Sequence, residues 1–203
     1  NQPHSLLQIG LQAKKLDEDA LPASNLVLLL DVSGSMDAPD KLDLVKRAFL
    51  TMTENLKDGD SVSIVTYASS DKVVLDGASG SDRTRIMTAI ENLEAGGSTA
   101  GSKGIKTAYE LAEKHFIKGG NNRVILATDG DLNVGVTSEG GLTRLIQKKR
   151  KSGVFLSVLG FGTGNIKDNK MEALADNGNG QYAYIDSMAE ARKVLVEEMG
   201  GTL

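Results

Sequence analysis

Uninterrupted apolar runs constrain this chain most. Residues 25–30 (NLVLLL), 62–67 (VSIVTY), 124–127 (VILA) and 154–161 (VFLSVLGF) are bounded by polar or glycine-containing stretches and show no alternation of apolar and polar positions. A strand can be apolar on consecutive residues only where both of its faces are covered. Between the runs lie patterns of helical period. Leu42, Val45, Phe49, Met52 and Leu56 share one face, with Asp40 placed to cap the start. Further faces are formed by Ile105, Ala108, Ala112 and Phe116, by Leu142, Leu145, Ile146 and Lys149, and by Met188, Ala191, Leu195 and Met199. Strands alternating with helices require right-handed crossovers, so the chain is predicted to be α/β, a doubly wound, mostly parallel sheet with helices on both faces.

One connection departs from this plan. Only residues 68–71 (ASSD) separate the second run from KVVL at 72–75, too few for a crossover. That pair must be a hairpin, which makes one edge strand antiparallel. Residues 25–203 read as a single domain preceded by a leader at 1–24, whose partial alternation (SLLQIGLQAKK) could supply a further edge strand.

Composition narrows the partners. The formal charge of −4, from 27 acidic and 23 basic residues evenly mixed, provides no basic stripe for nucleic acid. Cysteine is absent, which removes disulfides and a thiol nucleophile. No apolar run approaches the ~18 residues of a membrane span, so direct membrane insertion by this domain is not expected. The leader also lacks the charged and apolar regions of a signal peptide.

In an open α/β sheet, ligands bind beyond the carboxyl ends of the strands, where strand order reverses. The loop after the first run reads Asp31-Val32-Ser33-Gly34-Ser35-Met36. In an extended segment Asp31, Ser33 and Ser35 would point to one side. A carboxylate with two hydroxyls, all oxygen donors, suits a hard cation such as Mg²⁺, Mn²⁺ or Ca²⁺. Two further segments could complete the set. Asp129, in TDGD, follows a central run and so belongs at the same rim. In EAGGSTAGSKG, Ser98 and Thr99 offer hydroxyls ahead of a helix, with Gly96 and Gly97 allowing a sharp backbone path.

Taken together, D-x-S-x-S, G-G-x-T and T-D-G in this order resemble the von Willebrand factor type A domain, the I domain of integrins, which has a Rossmann-like fold. The resemblance extends from about residue 25 to 200. More narrowly, NLVLLLDVSGSM and GFGTGNIKDNKMEALADNGNGQYAYID are similar to a bacterial, envelope-associated subgroup, which implies an extracytoplasmic or cell-envelope location. The resemblance implies a metal-ion-dependent adhesion site. Ser33, Ser35 and Thr99 would bind Mg²⁺ (or Mn²⁺ or Ca²⁺) directly, and Asp31 and Asp129 would act through bound water. An open position would accept an Asp or Glu carboxylate from a protein partner. It also implies that the terminal helix, residues 187–200, could slide when coordination changes.

Other features are read more plainly. Asp37 and Asp131 fall on no motif position and read as solvated loop acids. GFGTGN lacks the full dinucleotide pattern, and GGSTAGSK places Ser102-Lys103 where a phosphate loop needs Lys-Ser/Thr. His4 and His115 carry no catalytic signature, and Met36 reads first as an ordinary core methionine, with a mobile apolar plug beneath the loop as the alternative. The competing function is a Mg²⁺-dependent hydrolase or phosphotransferase with Asp31 as nucleophile. That chemistry needs a second acid at position 33, which is serine here, and a lysine or histidine within the rim motifs, where none stands.

Overall fold

The computed structural model describes residues 21–96, 103–130, 139–162 and 168–198. Among the described residues, six strands form one sheet: β1 (Ser24–Asp31), β2 (Ser61–Tyr67), β3 (Asp71–Ser79), β4 (Asn121–Thr128), β5 (Val154–Phe161) and β6 (Tyr182–Ile185). Their order is β3-β2-β1-β4-β5-β6. All pairs are parallel except β2 with β3, as the short connection at 68–70 requires. Every residue of β1 and β4 is buried, in keeping with central strands covered on both faces.

The sheet is covered by α1 (Leu42–Glu54), α2 (Arg83–Glu91), α3 (Gly104–Lys114), α4 (Glu139–Lys151), α5 (Asp168–Asn177) and α6 (Met188–Arg192). Helices α1, α2 and α6 pack against Leu26, Leu28, Leu30 and Ile64 on one face. Helices α3, α4 and α5 pack against Val27, Leu29, Val65 and Leu126 on the other. Strand β1 thus sends alternate side chains into two separate cores.

Several details correct the sequence-based expectations. Lys41, not Asp40, occupies the N-cap position of α1, and no side-chain hydrogen bond closes that cap. Phe116 lies beyond α3 and is 43% exposed. Helix α2 was not anticipated because it buries only Ile86 and Ile90, and β6 is four residues long with only Ile185 buried. Helix α5 also went unread, although Met171, Leu174 and Ala175 pack into the core. The terminal helix is not uniform: α6 gives way to a π-helical stretch, Lys193–Glu198. Its start was legible, since Ser187 accepts a hydrogen bond from the Glu190 N–H, half of a capping box. The possible leader strand falls outside the described residues.

From β1 the chain first builds β2 and β3 to one side, then crosses back to place β4 on the other. The carboxyl ends of β1 and β4 therefore flank the crevice at which strand order reverses.

Candidate metal centre

Asp31 is the last residue of β1, and Asp129 directly follows β4, so the fold brings together two carboxylates remote in sequence. Asp31 is fully buried. The Ser33 N–H donates to its Oδ1 at 2.9 Å, and the Thr128 hydroxyl donates to its Oδ2 at 3.2 Å. The Gly130 N–H in turn donates to Thr128 Oγ1 at 3.2 Å. Gly130 has φ of 109°, a left-handed conformation that glycine tolerates and that lets the chain turn immediately after Asp129.

The first loop differs from the extended segment expected. Ser33 is extended, with φ −64° and ψ 165°, but Gly34–Met36 forms a 3-10 turn. The turn nonetheless brings Ser33 Oγ and Ser35 Oγ to 3.1 Å. Ser33 is buried and Ser35 exposed, while Met36 is buried beneath them in the α1 core. Met36 is thus the apolar anchor of a turn that displays two hydroxyls.

Two chain segments lead toward the same rim. The Gly96 N–H donates to the Val32 carbonyl at 2.9 Å. Gly104 begins α3 so close to β1 and β2 that a Cβ there would meet Tyr67 Cβ at 3.0 Å and Leu29 Cδ1 at 3.2 Å. Thr99, Ser98 and Asp131 themselves lie outside the described residues. Asp37 is exposed.

The electrostatics favour a cation. Burial, the dominant effect, raises the Asp31 pKa; hydrogen bonds from Ser33 oppose this, and the nearby Asp129 charge adds to it. Tyr67 is fully buried, and its hydroxyl has no hydrogen bond of ordinary geometry among the described residues. Burial first, and then the Asp31 charge, hold its pKa well above the usual phenol value. A fully buried carboxylate held by neutral donors and facing a second carboxylate is costly unless positive charge offsets it. Among the described residues no basic group pairs with Asp31, whereas Lys41 Nζ lies 2.8 Å from Asp129 Oδ2.

The donor set fits a hard divalent ion. Adjacent ligands of an octahedral Mg²⁺ at ~2.1 Å stand about 3.0 Å apart, which matches the separation of the two serine hydroxyls. No group of three or more His, Cys, Asp or Glu gathers among the described residues, so softer or all-carboxylate sites find no counterpart there.

Sequence reasoning missed three neighbours of this site. Thr128 stood inside the T-D-G motif but was assigned no role. Tyr67 had no signal beyond closing an apolar run. Lys41 lies 88 residues from Asp129, a separation that leaves no periodic trace.

The von Willebrand factor type A domain family matches residues 25–198. The protein YfbK of Escherichia coli (strain K12) is 44% identical over 199 residues, covering 98% of this chain and 35% of that protein. Protein sll0103 of Synechocystis is 32% identical over 188 residues, covering 91% and 43%. The chain therefore spans well under half the length of these bacterial relatives. Among solved structures, the PilB minor pilin from Streptococcus sanguinis matches with a TM-score of 0.71 and 15% identity, covering 91% of this chain and 63% of that one. An aerotolerance-related membrane protein from Bacteroides fragilis matches with a TM-score of 0.68 and 22% identity, covering 87% and 98%.

Proposed function

This chain belongs to the von Willebrand factor type A domain family, whose members typically serve in adhesion or protein interaction, and we propose that it is a non-enzymatic, divalent-cation-dependent protein-binding module. The observation that carries this reading is the meeting of buried Asp31, the paired Ser33 and Ser35 hydroxyls and Asp129 at one rim. When bound, Mg²⁺ would supply a positive charge with an open position for a partner's carboxylate. Ser33 and Ser35 would hold it directly, joined by Thr99, while Asp31 and Asp129 would hold its water shell. Acids kept one water away leave part of the ion's charge for an incoming Asp or Glu. Beside this rim, a cleft of about 580 Å³ lined by Val32, Lys72, Arg85 and Glu94 among others offers lateral contacts to the same partner.

The hydrolase reading gains one feature, since Lys41 does reach the rim. The surroundings of the would-be nucleophile argue against it. Asp31 is fully buried, both of its oxygens already accept hydrogen bonds, and Ser33 stands where the second acid is needed. An extracytoplasmic or envelope location remains part of the proposal, supported by motif likeness and testable by fractionation of cells carrying the natural gene.

Calorimetric titration of the metal-stripped chain with Mg²⁺, Mn²⁺ and Ca²⁺ tests the site, with Asp31→Ala and Asp129→Ala alongside. Binding that both substitutions weaken supports it. Absence of binding, or binding indifferent to both, overturns it.

A further inference from the structure

Lys41 stands at the N-cap position of α1, where its carbonyl accepts from the Val45 N–H, but its side chain does not cap that helix. Its Nζ donates to Asp129 Oδ2 at 2.8 Å and to the Ser35 carbonyl at 2.8 Å. The side chain of Lys41 is 27% exposed and that of Asp129 5%, so the pair is shielded from most of the screening that weakens surface ion pairs. The stem of Lys41 lies across Gly162, where a Cβ would sit 3.1 Å from Lys41 Cγ and 3.3 Å from Cε. Gly162 has φ of 109° and directly follows β5. Its carbonyl accepts a hydrogen bond from the Tyr184 hydroxyl on β6. One side chain thus touches the serine turn, the β4 rim and the β5 rim.

We propose that Lys41 is a built-in counter-cation of this centre: its ammonium neutralises Asp129 until a divalent ion displaces it, and its departure releases Gly162. The inference rests on the cation-site reading above. An ammonium 2.8 Å from Asp129 Oδ2 draws on the charge that Asp129 would otherwise lend to the ion's water shell, and two cations gathered at one carboxylate repel each other. Lys41 therefore weakens cation binding while keeping the rim assembled without it. It is a positioning residue, acting through Asp129, Ser35 and Gly162. An ammonium on a flexible stem suits the task, since it can leave as one point charge without breaking a bidentate pair.

The test compares the metal-stripped parent with Lys41→Met, Lys41→Arg and Asp129→Ala, titrated with Mg²⁺ and Mn²⁺ by calorimetry. Thermal unfolding of each shows that it is folded, and Lys41→Gln replaces the methionine variant if that one is not. Lys41→Met should bind either ion at least tenfold more tightly than the parent, and Lys41→Arg, whose planar fork is harder to displace from a carboxylate, should bind more weakly than the parent. Amide hydrogen exchange supplies a readout independent of affinity. Ion addition should speed exchange in residues 160–162 of the parent, and Lys41→Met should exchange fast there with or without ion. If the parent binds an ion and Lys41→Met binds equally or more weakly, the counter-cation role is wrong and the metal site stands. If neither parent nor variant binds any ion, both readings fail together.

Discussion

The hydroxyl oxygens of Ser33 and Ser35 lie 3.1 Å apart, held there by a 3-10 turn whose last residue, Met36, is locked in the core. Two side chains fixed at the spacing of adjacent ligands should act on one ion as a unit. Ser33→Ala and Ser35→Ala should each weaken Mg²⁺ binding roughly tenfold, about 1.4 kcal/mol. The double variant should lose less than the sum, since partners in one site are coupled. Additive losses in a calorimetric double-mutant cycle would mean that the hydroxyls do not share a ligand.

Metal addition should stabilise the folded chain by mass action. At one hundred times Kd, Mg²⁺ should contribute about 2.7 kcal/mol, a rise in Tm of about 5–10 °C for a domain of this size. A chelator should reverse the shift, and Asp129→Ala should abolish it. Differential scanning calorimetry at several Mg²⁺ concentrations measures this directly.

Met36 couples the rim to the core. It is fully buried among the residues that pack beneath α1, so Met36→Ala should cost about 2–4 kcal/mol by transfer and cavity formation. Met36→Leu, which nearly conserves volume, should cost less than about 1.5 kcal/mol. Denaturant midpoints give both values. If Met36 anchors the serine turn, the alanine variant should also lose Mg²⁺ affinity while the leucine variant keeps it.

Asp76 ties the edge strand β3 to the end of α3. Lys114 Nζ and His115 Nε2 each lie 2.6 Å from its carboxylate, and Lys114 first, then His115, lower its pKa. A carboxyl group whose folded-state pKa is lowered stabilises above its ordinary value, about 3.9, and loses that contribution as pH falls through the lowered one. Because Asp76 is 40% exposed, the effect is small. Asp76→Asn should cost about 0.2–1 kcal/mol at neutral pH. The difference should shrink at high salt and vanish in strong acid, as urea titrations of parent and variant would reveal.

Much of the sheet was legible because burial on both faces leaves a direct mark on composition. The runs at 25–30, 62–67 and 124–127 each extended by only a few residues in the structure, and the four residues at 68–71 forced the antiparallel pair. Elements with weak marks went unread. Helix α2 buries one narrow stripe, β6 buries one residue, and α5 follows a stretch dominated by polar residues. Phe116 misled because it continues the helical period of α3 while standing beyond its end.

At the candidate site, the sequence by itself determined the local pieces: an acid closing a buried strand, two serines one residue apart, and an acid followed by glycine after β4. Each depends on neighbouring residues and fixed backbone periods, which one chain segment contains in full. Only the tertiary structure decided what those pieces meet. Parallel pairing of β1 with β4 sets Asp31 beside Thr128 and near Asp129, and pairing with β2 brings in Tyr67. The Lys41–Asp129 contact joins residues 88 positions apart. Such pairings follow from strand order and helix placement, which arise from packing the whole core and have no local period to announce them.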